Sequence, residues 1–178
     1  GMFVTNNSDL YLHFLELSNH GRKISQSKQF WSDYIGFKYK MSNVQAAIGC
    51  AQLERIEELV ERKKNILNFY KQTFSKIPEV SMNIEKKNLI SGAWMPNIVF
   101  SRASKITREI ISKKFKENNI DARVFFWPLS SLPMFDKVSN KNSYDIPNRS
   151  INLPSFHDIK EEELKRVCKV VKELVLNE

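Results

Sequence analysis

The sequence predicts a mixed α/β fold of the α+β kind: one long helix followed by a small, mainly antiparallel sheet covered by helices. Three observations support this prediction. One amphipathic pattern extends from Ser42 to about Phe74, and no proline interrupts it. After Pro78 the predicted order is strand, strand, helix, strand, helix. Before Ser42 stands a single strand–helix unit, which has no parallel partner in the chain and is typical of a piece of a larger sheet.

Three segments follow from this order. Residues 1–40 are interpreted as the remnant of a larger domain, residues 41–77 as a long connecting helix, and residues 78–178 as a C-terminal α+β domain. The 178 residues suffice for one domain with a sizeable core, or for one domain and part of another.

The first segment contains an apolar strand over residues 2–5 and a helix that Ser8 can cap. Gly21 stands in the position that glycine commonly takes after a helix. Residues 22–40 then form a loop with three aromatic residues close together. A loop of this length without strong periodicity is often functional.

The long helix has a clear start signal, because Ser42 and Gln45 fit the reciprocal hydrogen bonds of a capping box. A continuous helix from there would have about 30 residues and a length of about 45 Å. Its first turns are rich in small residues, and Gly49 costs about 1 kcal/mol relative to alanine. Two explanations remain open for Gly49: a tight crossing with another helix, or the close approach of a subunit or cofactor surface.

The last segment alternates strand and helix patterns. The periodicity predicts a strand over 79–84, a strand over 94–101 with Pro96 at an edge or bulge, a helix over 105–118, a strand over 120–126, a short helix within 145–152, and a final helix capped by Asp158.

Composition argues against nucleic-acid binding and membrane-spanning functions. The net charge is +8, from 28 basic and 20 acidic residues, but the lysines are dispersed and no nucleic-acid-binding motif accompanies them. We therefore expect no nucleic acid partner. No apolar run approaches the roughly 20 residues of a membrane span, and no signal peptide is evident. The two cysteines lack metal-ligand spacing with histidine and indicate small core residues in a reducing, cytoplasmic setting.

Six ordered stretches carry a family resemblance: GMFVTNN (1–7), LSNHGR (17–22), GFKYKMSNVQAAIGCAQL (36–53), WMPNIVF (94–100), DARVFFWPLSSLPMF (121–135) and INLPSF (151–156). Together they resemble the DegT/DnrJ/EryC1/StrS sugar aminotransferases, which depend on pyridoxal phosphate (PLP) and have fold type I. The chain is similar to the C-terminal half of such enzymes, with residues 1–40 as the end of the large PLP-binding domain. Its pattern is nearest to the branch that acts on nucleotide-linked 4-keto sugars.

The resemblance implies a homodimer that transfers an amino group from glutamate to a keto sugar on a nucleoside diphosphate. It also implies that Lys38, with Tyr39 and Lys40, reaches the PLP phosphate of a partner subunit. A lysine at position 38, where asparagine is commoner in the family, would offer the phosphate a formal charge. The alternative for Lys38 is a solvated loop lysine. At position 40, where arginine is common, a lysine loses any bidentate contact.

Three further residues are candidates for substrate binding, each with an alternative. His20 could contact cofactor or substrate from its turn, or simply end the preceding helix. Arg123 could pair with a substrate phosphate or with a surface acid. Trp31, with Phe30 and Tyr34, could cover a sugar or nucleotide, or could cover the small residues of the long helix.

The family's catalytic lysine, which forms the Schiff base with PLP, has no counterpart in these residues. We therefore expect no catalytic residue and no metal site here, a missing N-terminal PLP domain, and no activity from this chain alone. The alternatives are a non-catalytic truncated or dimerisation module and, less favoured, a basic nucleic-acid binder.

Overall fold

The computed structural model describes residues 2–176 and divides into two compact units. The first unit ends at Arg55 and the second begins at Ile56. Each unit has its own secondary structure and is described separately.

The first unit contains two helices, α1 (Ser8–Leu17) and α2 (Asn43–Leu53). Asn7, and not Ser8, caps α1, because its side chain accepts the backbone N–H of Leu10 at 3.0 Å. The strand predicted over residues 2–5 is absent. Residues 2–55 contain no strand with which this stretch could pair, and Phe3 instead stacks on Phe14 of α1 with ring centroids 4.3 Å apart.

Helix α2 begins as the sequence predicts. The Ser42 side chain accepts from Gln45, and the Gln45 side chain accepts the Ser42 backbone N–H at 2.9 Å, so the capping box is complete. The single helix predicted over about 42–74 is wrong, however, since α2 ends at Leu53. The backbone N–H of Arg55 bonds to the carbonyl of Gln52, three residues back, which replaces the helical pattern with a tight turn. Neither proline nor glycine marks this position, so the break has no local sequence signal.

The second unit begins with α3 (Ile56–Phe74) and contains a four-stranded antiparallel sheet. The strands are β1 (Val80–Met82), β2 (Asn97–Phe100), β3 (Arg123–Val124) and β4 (Ser150–Asn152), in the spatial order β1-β2-β4-β3. The predicted fold class, a small antiparallel sheet with helices, is thereby confirmed. Strand β4 lies between β2 and β3, although only a short helix was predicted within 145–152.

Three helices complete this unit: α4 (Arg108–Glu117), the short α5 (Lys141–Asp145) and α6 (Glu161–Leu176), with 3₁₀ turns at Leu129–Ser131 and Ile146–Arg149. Thr107 caps α4 by accepting the N–H of Ile110. The cap predicted at Asp158 is wrong. Helix α6 begins at Glu161, and the Glu163 carboxylate accepts the backbone N–H of Lys160 at 2.8 Å.

Among residues 2–176, the hydrophobic core lies entirely within the second unit. Ile98 and Phe100 of β2 and Ile151 of β4 are buried against α3, α4 and α6. Cys168 belongs to this core, where burial raises its pKa to about 11, whereas Cys50 on α2 is exposed and not the core residue that was predicted.

Helix α3 fixes the segment that leads into α6. Tyr70 donates to the carbonyl of Pro154 at 2.9 Å, and Lys63 donates to the carbonyl of Ser155. Arg62 donates to the carbonyls of His157 and Ile159. Three side chains of one helix thus satisfy four carbonyls of residues 154–159, which stabilises an irregular segment that has few backbone bonds of its own.

Candidate functional site

A sharp turn follows α1 in the first unit. Ser18 forms the C-terminal cap of the helix, so His20 does not serve as the cap. His20 and Gly21 both have positive φ, 64° and 68°, in the left-handed region. Such a conformation is easy for glycine and costly for histidine, which indicates that neighbouring contacts hold the turn in place.

The turn pairs with the loop that precedes α2. Asn19 and Lys38 form an antiparallel bridge. On either side of it, the Phe37 N–H donates to the Leu17 carbonyl at 2.7 Å and the Tyr39 N–H to the Ser18 carbonyl at 3.1 Å. The backbone of residues 37–39 is therefore fixed against the end of α1, and the side chains of this loop extend from a rigid support.

Two glycines make this close approach possible. A Cβ on Gly21 would lie 1.9 Å from the Tyr34 carbonyl oxygen, and a Cβ on Gly36 would lie 1.9 Å from the Gly21 nitrogen. Any side chain at either position would therefore separate the turn from the loop. Gly49 differs, because a Cβ added there would have nothing within 4 Å. The tight helix crossing considered for Gly49 is thus not formed within the described part of this chain.

The loop presents two lysines and a tyrosine to solvent. Lys38, Tyr39 and Lys40 are all exposed, and neither lysine has an ion pair among the described residues. The Tyr39 ring stacks on Phe37 with centroids 5.2 Å apart, which limits its motion. Two unneutralised ammonium groups and a phenol on a fixed backbone form a group of donors suited to an anion such as a phosphate.

A pocket of about 560 Å³ lies beside the turn, and it brings together His20 and Trp31. The remaining lining residues are Asn19, Arg22, Gln29, Phe30 and Ser32. The Lys28 ammonium lies 4.5 Å from the centre of the Trp31 ring, a cation–π contact. The pocket thus combines an aromatic wall with cationic groups, an arrangement suited to a flat or sugar-like ligand that carries negative charge.

Side-chain hydrogen bonds order the pocket loop. Tyr34 donates to the Glu16 carboxylate at 2.6 Å, and this bond raises the Tyr34 pKa to about 12. The Asp33 carboxylate accepts the backbone N–H of Lys23 at 3.1 Å. Sequence reasoning did not assign roles to Glu16 or Asp33, because acids dispersed along a helix and a loop carry no spacing signal.

Arg123 lies elsewhere, in the second unit. It is exposed, pairs with Asp121 at 3.1 Å, and lines a groove of about 420 Å³ that lies wholly within that unit. The pairing with a surface acid that was considered for Arg123 is thus present. Among the described residues, no cluster of three or more His, Cys, Asp or Glu side chains could hold a metal ion. No helix in residues 2–176 is sufficiently long and apolar for a membrane span.

Comparison with known proteins identifies the family of this chain. The profile of the DegT/DnrJ/EryC1/StrS aminotransferase family matches residues 1–172. The chain belongs to this family. It is 33% identical over 178 residues to a GDP-perosamine synthase of Escherichia coli O157:H7, and 29% identical over 176 residues to one of Vibrio cholerae. These alignments cover 97% of the chain but 46% and 47% of the relatives, so the chain spans about half their length.

Solved structures agree on the fold. PseC of Helicobacter pylori, an aminotransferase involved in the biosynthesis of pseudoaminic acid, superimposes with a TM-score of 0.80 at 18% identity, over 98% of this chain and 48% of that one. The PLP form of the sugar aminotransferase Spr1654 of Streptococcus pneumoniae gives 0.80 at 20% identity, over 99% and 46%. Both likenesses show the fold of these residues.

Proposed function

We propose that this chain is the C-terminal part of a PLP-dependent aminotransferase that acts on a nucleotide-linked keto sugar in amino-sugar biosynthesis. The observation that carries the proposal is the hydrogen-bonded pairing of the His20–Gly21 turn with the loop of residues 37–39. This pairing brings exposed lysines and the aromatic pocket together on one small, ordered unit, within a chain that belongs to the DegT/DnrJ/EryC1/StrS aminotransferase family.

The first role is to hold the cofactor phosphate. Lys38 and Lys40 would bind the phosphate of PLP in a partner subunit, and Tyr39 would donate a hydrogen bond from its hydroxyl. PLP, when bound, supplies the electron sink for amino transfer. The lysine charges would stabilise the phosphate because both ammonium groups are exposed and have no competing acid among the described residues.

The second role is to bind the sugar nucleotide. Trp31 would stack on a sugar or base, and His20 with Arg22 would bind its diphosphate from the pocket wall. The GDP-perosamine synthases among the relatives favour a GDP-linked sugar as the first substrate to test. Glutamate is the amino donor that the family resemblance implies. Arg123, already paired with Asp121 in the second unit, is kept as a weaker candidate for a substrate phosphate.

The described residues 2–55 support a partner surface. Among them only Ser18 and Gly21 are buried, while α2 exposes Val44, Ile48 and Leu53. Apolar residues at such density favour an interface, which we assign to the PLP domain and to a second subunit of a homodimer. Gly49 would then allow close approach of that surface, and Gly49→Leu should weaken assembly in sedimentation while helix content by circular dichroism is kept.

These 178 residues would not transfer amino groups on their own, because the lysine that binds PLP covalently is assigned to the N-terminal half. Purified chain mixed with stoichiometric PLP should not develop a stable band at about 410–430 nm, the region of PLP–lysine adducts. A stable stoichiometric band would contradict this assignment. A chain that dimerises but supports no transfer in any context would favour the non-catalytic module instead.

A chimaera tests the function directly. The matching C-terminal part of the E. coli GDP-perosamine synthase is replaced by this chain, and 2-oxoglutarate release is measured with glutamate and a GDP-linked 4-keto sugar. We expect turnover that falls at least about tenfold, with weaker PLP retention, in Lys38→Ala/Lys40→Ala. The control Lys116→Ala changes an exposed lysine of α4 and should have no effect. A PLP-loaded chimaera without turnover would contradict the proposal.

A further inference from the structure

A buried guanidinium in the second unit has no role in the proposed function. Arg108, the first residue of α4, is 5% exposed. Its Nε donates to the Pro147 carbonyl at 2.8 Å. Its terminal nitrogens Nη1 and Nη2 are also buried, and they have no hydrogen-bond partner among the described residues. Burying a cation without hydrogen-bond partners for its N–H donors costs folding free energy. Such a group is therefore expected to bind an acceptor.

Nearby acids do not supply that acceptor. Asp145, two residues before Pro147, is bound by Arg149 at 2.8 Å and by Arg102 at 2.9 Å. Glu109 follows Arg108 on α4, but it is exposed and its carboxylate hydrogen-bonds to Thr107. Within residues 2–176, no carboxylate therefore hydrogen-bonds to the Arg108 terminal nitrogens, although the Arg108 charge contributes to lowering the Glu109 pKa.

An indole covers the guanidinium. The Trp127 ring centre lies 3.9 Å from Cζ of Arg108, in cation–π contact, while Trp127 itself remains 58% exposed. Trp127 follows β3 in an irregular segment, and its ring lies over the guanidinium. Rotation of this half-exposed side chain would uncover the guanidinium without unfolding α4 or the sheet.

We propose that Arg108 and Trp127 form a gated binding site for a carboxylate. Because Nε is occupied by Pro147, the free edge of the guanidinium is the one formed by Nη1 and Nη2. That edge presents two parallel N–H groups, which match the two oxygens of one carboxylate. The carboxylate belongs either to a small acid or to an Asp or Glu side chain of a bound polypeptide.

Trp127 itself reports on the site. In the full chain with Trp31→Phe and Trp94→Phe, Trp127 is the only tryptophan that remains. This variant is titrated with sodium acetate, sodium glutamate, a Glu-containing peptide and sodium phosphate at constant ionic strength, and the Trp127 fluorescence emission is recorded. We expect a saturable change with carboxylates and a weaker one with phosphate. Arg108→Lys keeps the positive charge but lacks the two parallel N–H donors of the guanidinium, so it should weaken carboxylate binding by about tenfold or more. The control Arg102→Lys, at an exposed arginine, should titrate as the parent does.

The outcomes separate cleanly. Saturation by acetate or glutamate supports a small-acid site, and saturation by the peptide alone supports a polypeptide carboxylate. A linear response to every anion, or equal affinity in Arg108→Lys, overturns the proposal. If Arg108→Lys fails to fold, Trp127→Ala serves instead, with the Arg108 side-chain N–H resonances followed by NMR. Removal of the cover should strengthen carboxylate binding, and unperturbed resonances would overturn the gated site.

Discussion

Replacement of Gly21 by alanine is the sharpest test of the turn that supports the proposed phosphate-binding loop. The added Cβ would lie 1.9 Å from the Tyr34 carbonyl oxygen, whereas ordinary contacts begin at 3.4 Å, so the Tyr34 backbone must retreat by about 1.5 Å. Alanine also carries a conformational cost of about 1 kcal/mol at a φ of +68°.

This movement of the Tyr34 backbone would break two hydrogen bonds. The N–H groups of Asp33 and Tyr34 both donate to the Gly21 carbonyl, at 3.0 and 3.3 Å, and each bond contributes about 1 kcal/mol. With the conformational cost, the expected loss of local stability is about 3 kcal/mol. That loss corresponds to exchange about a hundredfold faster at the Phe37 and Tyr39 amides, whose bonds join the loop to the turn.

Hydrogen exchange measured by NMR at single amides reads out this change. Gly49→Ala is the matched control, because the same substitution there meets nothing within 4 Å. The control should stabilise α2 by about 1 kcal/mol through helix propensity and leave the Phe37 and Tyr39 amides unchanged. Exchange in Gly21→Ala within about threefold of the parent chain would refute the close approach on which the phosphate-binding loop rests.

Three further predictions concern the second unit. Tyr70→Phe removes the hydroxyl that donates to Pro154 and should cost about 1 kcal/mol in urea unfolding. Ile151→Ala, at a residue 1% exposed, should cost about 3 kcal/mol, and the exposed neighbour Val124→Ala well under half of that. Arginine contacts lower the Asp145 pKa from 3.8 to about 2, so its stabilisation is present above pH 3.8 and is lost as the pH falls towards 2. Asp145→Asn should therefore flatten the pH dependence of unfolding between those values.

The sequence predicted the fold class and most elements because their signals are local. The capping box of Ser42 and Gln45 and the apolar face of α6 need only neighbouring residues to be recognised. Strand β4 was missed because it has three residues and is defined by its partners β2 and β3, which are distant in sequence. The break after Leu53 was missed because no proline or glycine marks it.

The candidate site also depends on contacts between residues that are distant in sequence, which the sequence did not reveal. The turn at His20 and the loop at Lys38 were both singled out, and the structure pairs them. The reason that both flanking glycines are needed became visible only in the backbone contacts between Gly21, Tyr34 and Gly36. Arg108 carried no sequence signal, because an arginine at the start of an amphipathic helix is ordinarily a solvated one.

The two units differ in what stabilises them, and this difference bears on the proposed function. The second unit buries a continuous apolar core, whereas the first is ordered by backbone bonds at its turn and by aromatic stacking such as Phe3 on Phe14. A unit with so little buried apolar surface gains stability chiefly from what covers it. If the cover is the PLP domain of a partner subunit, its docking would order the first unit and bring the cofactor phosphate to Lys38 and Lys40 in the same step. Cofactor retention and subunit assembly should then be lost together, and not separately, when the turn at Gly21 is disrupted.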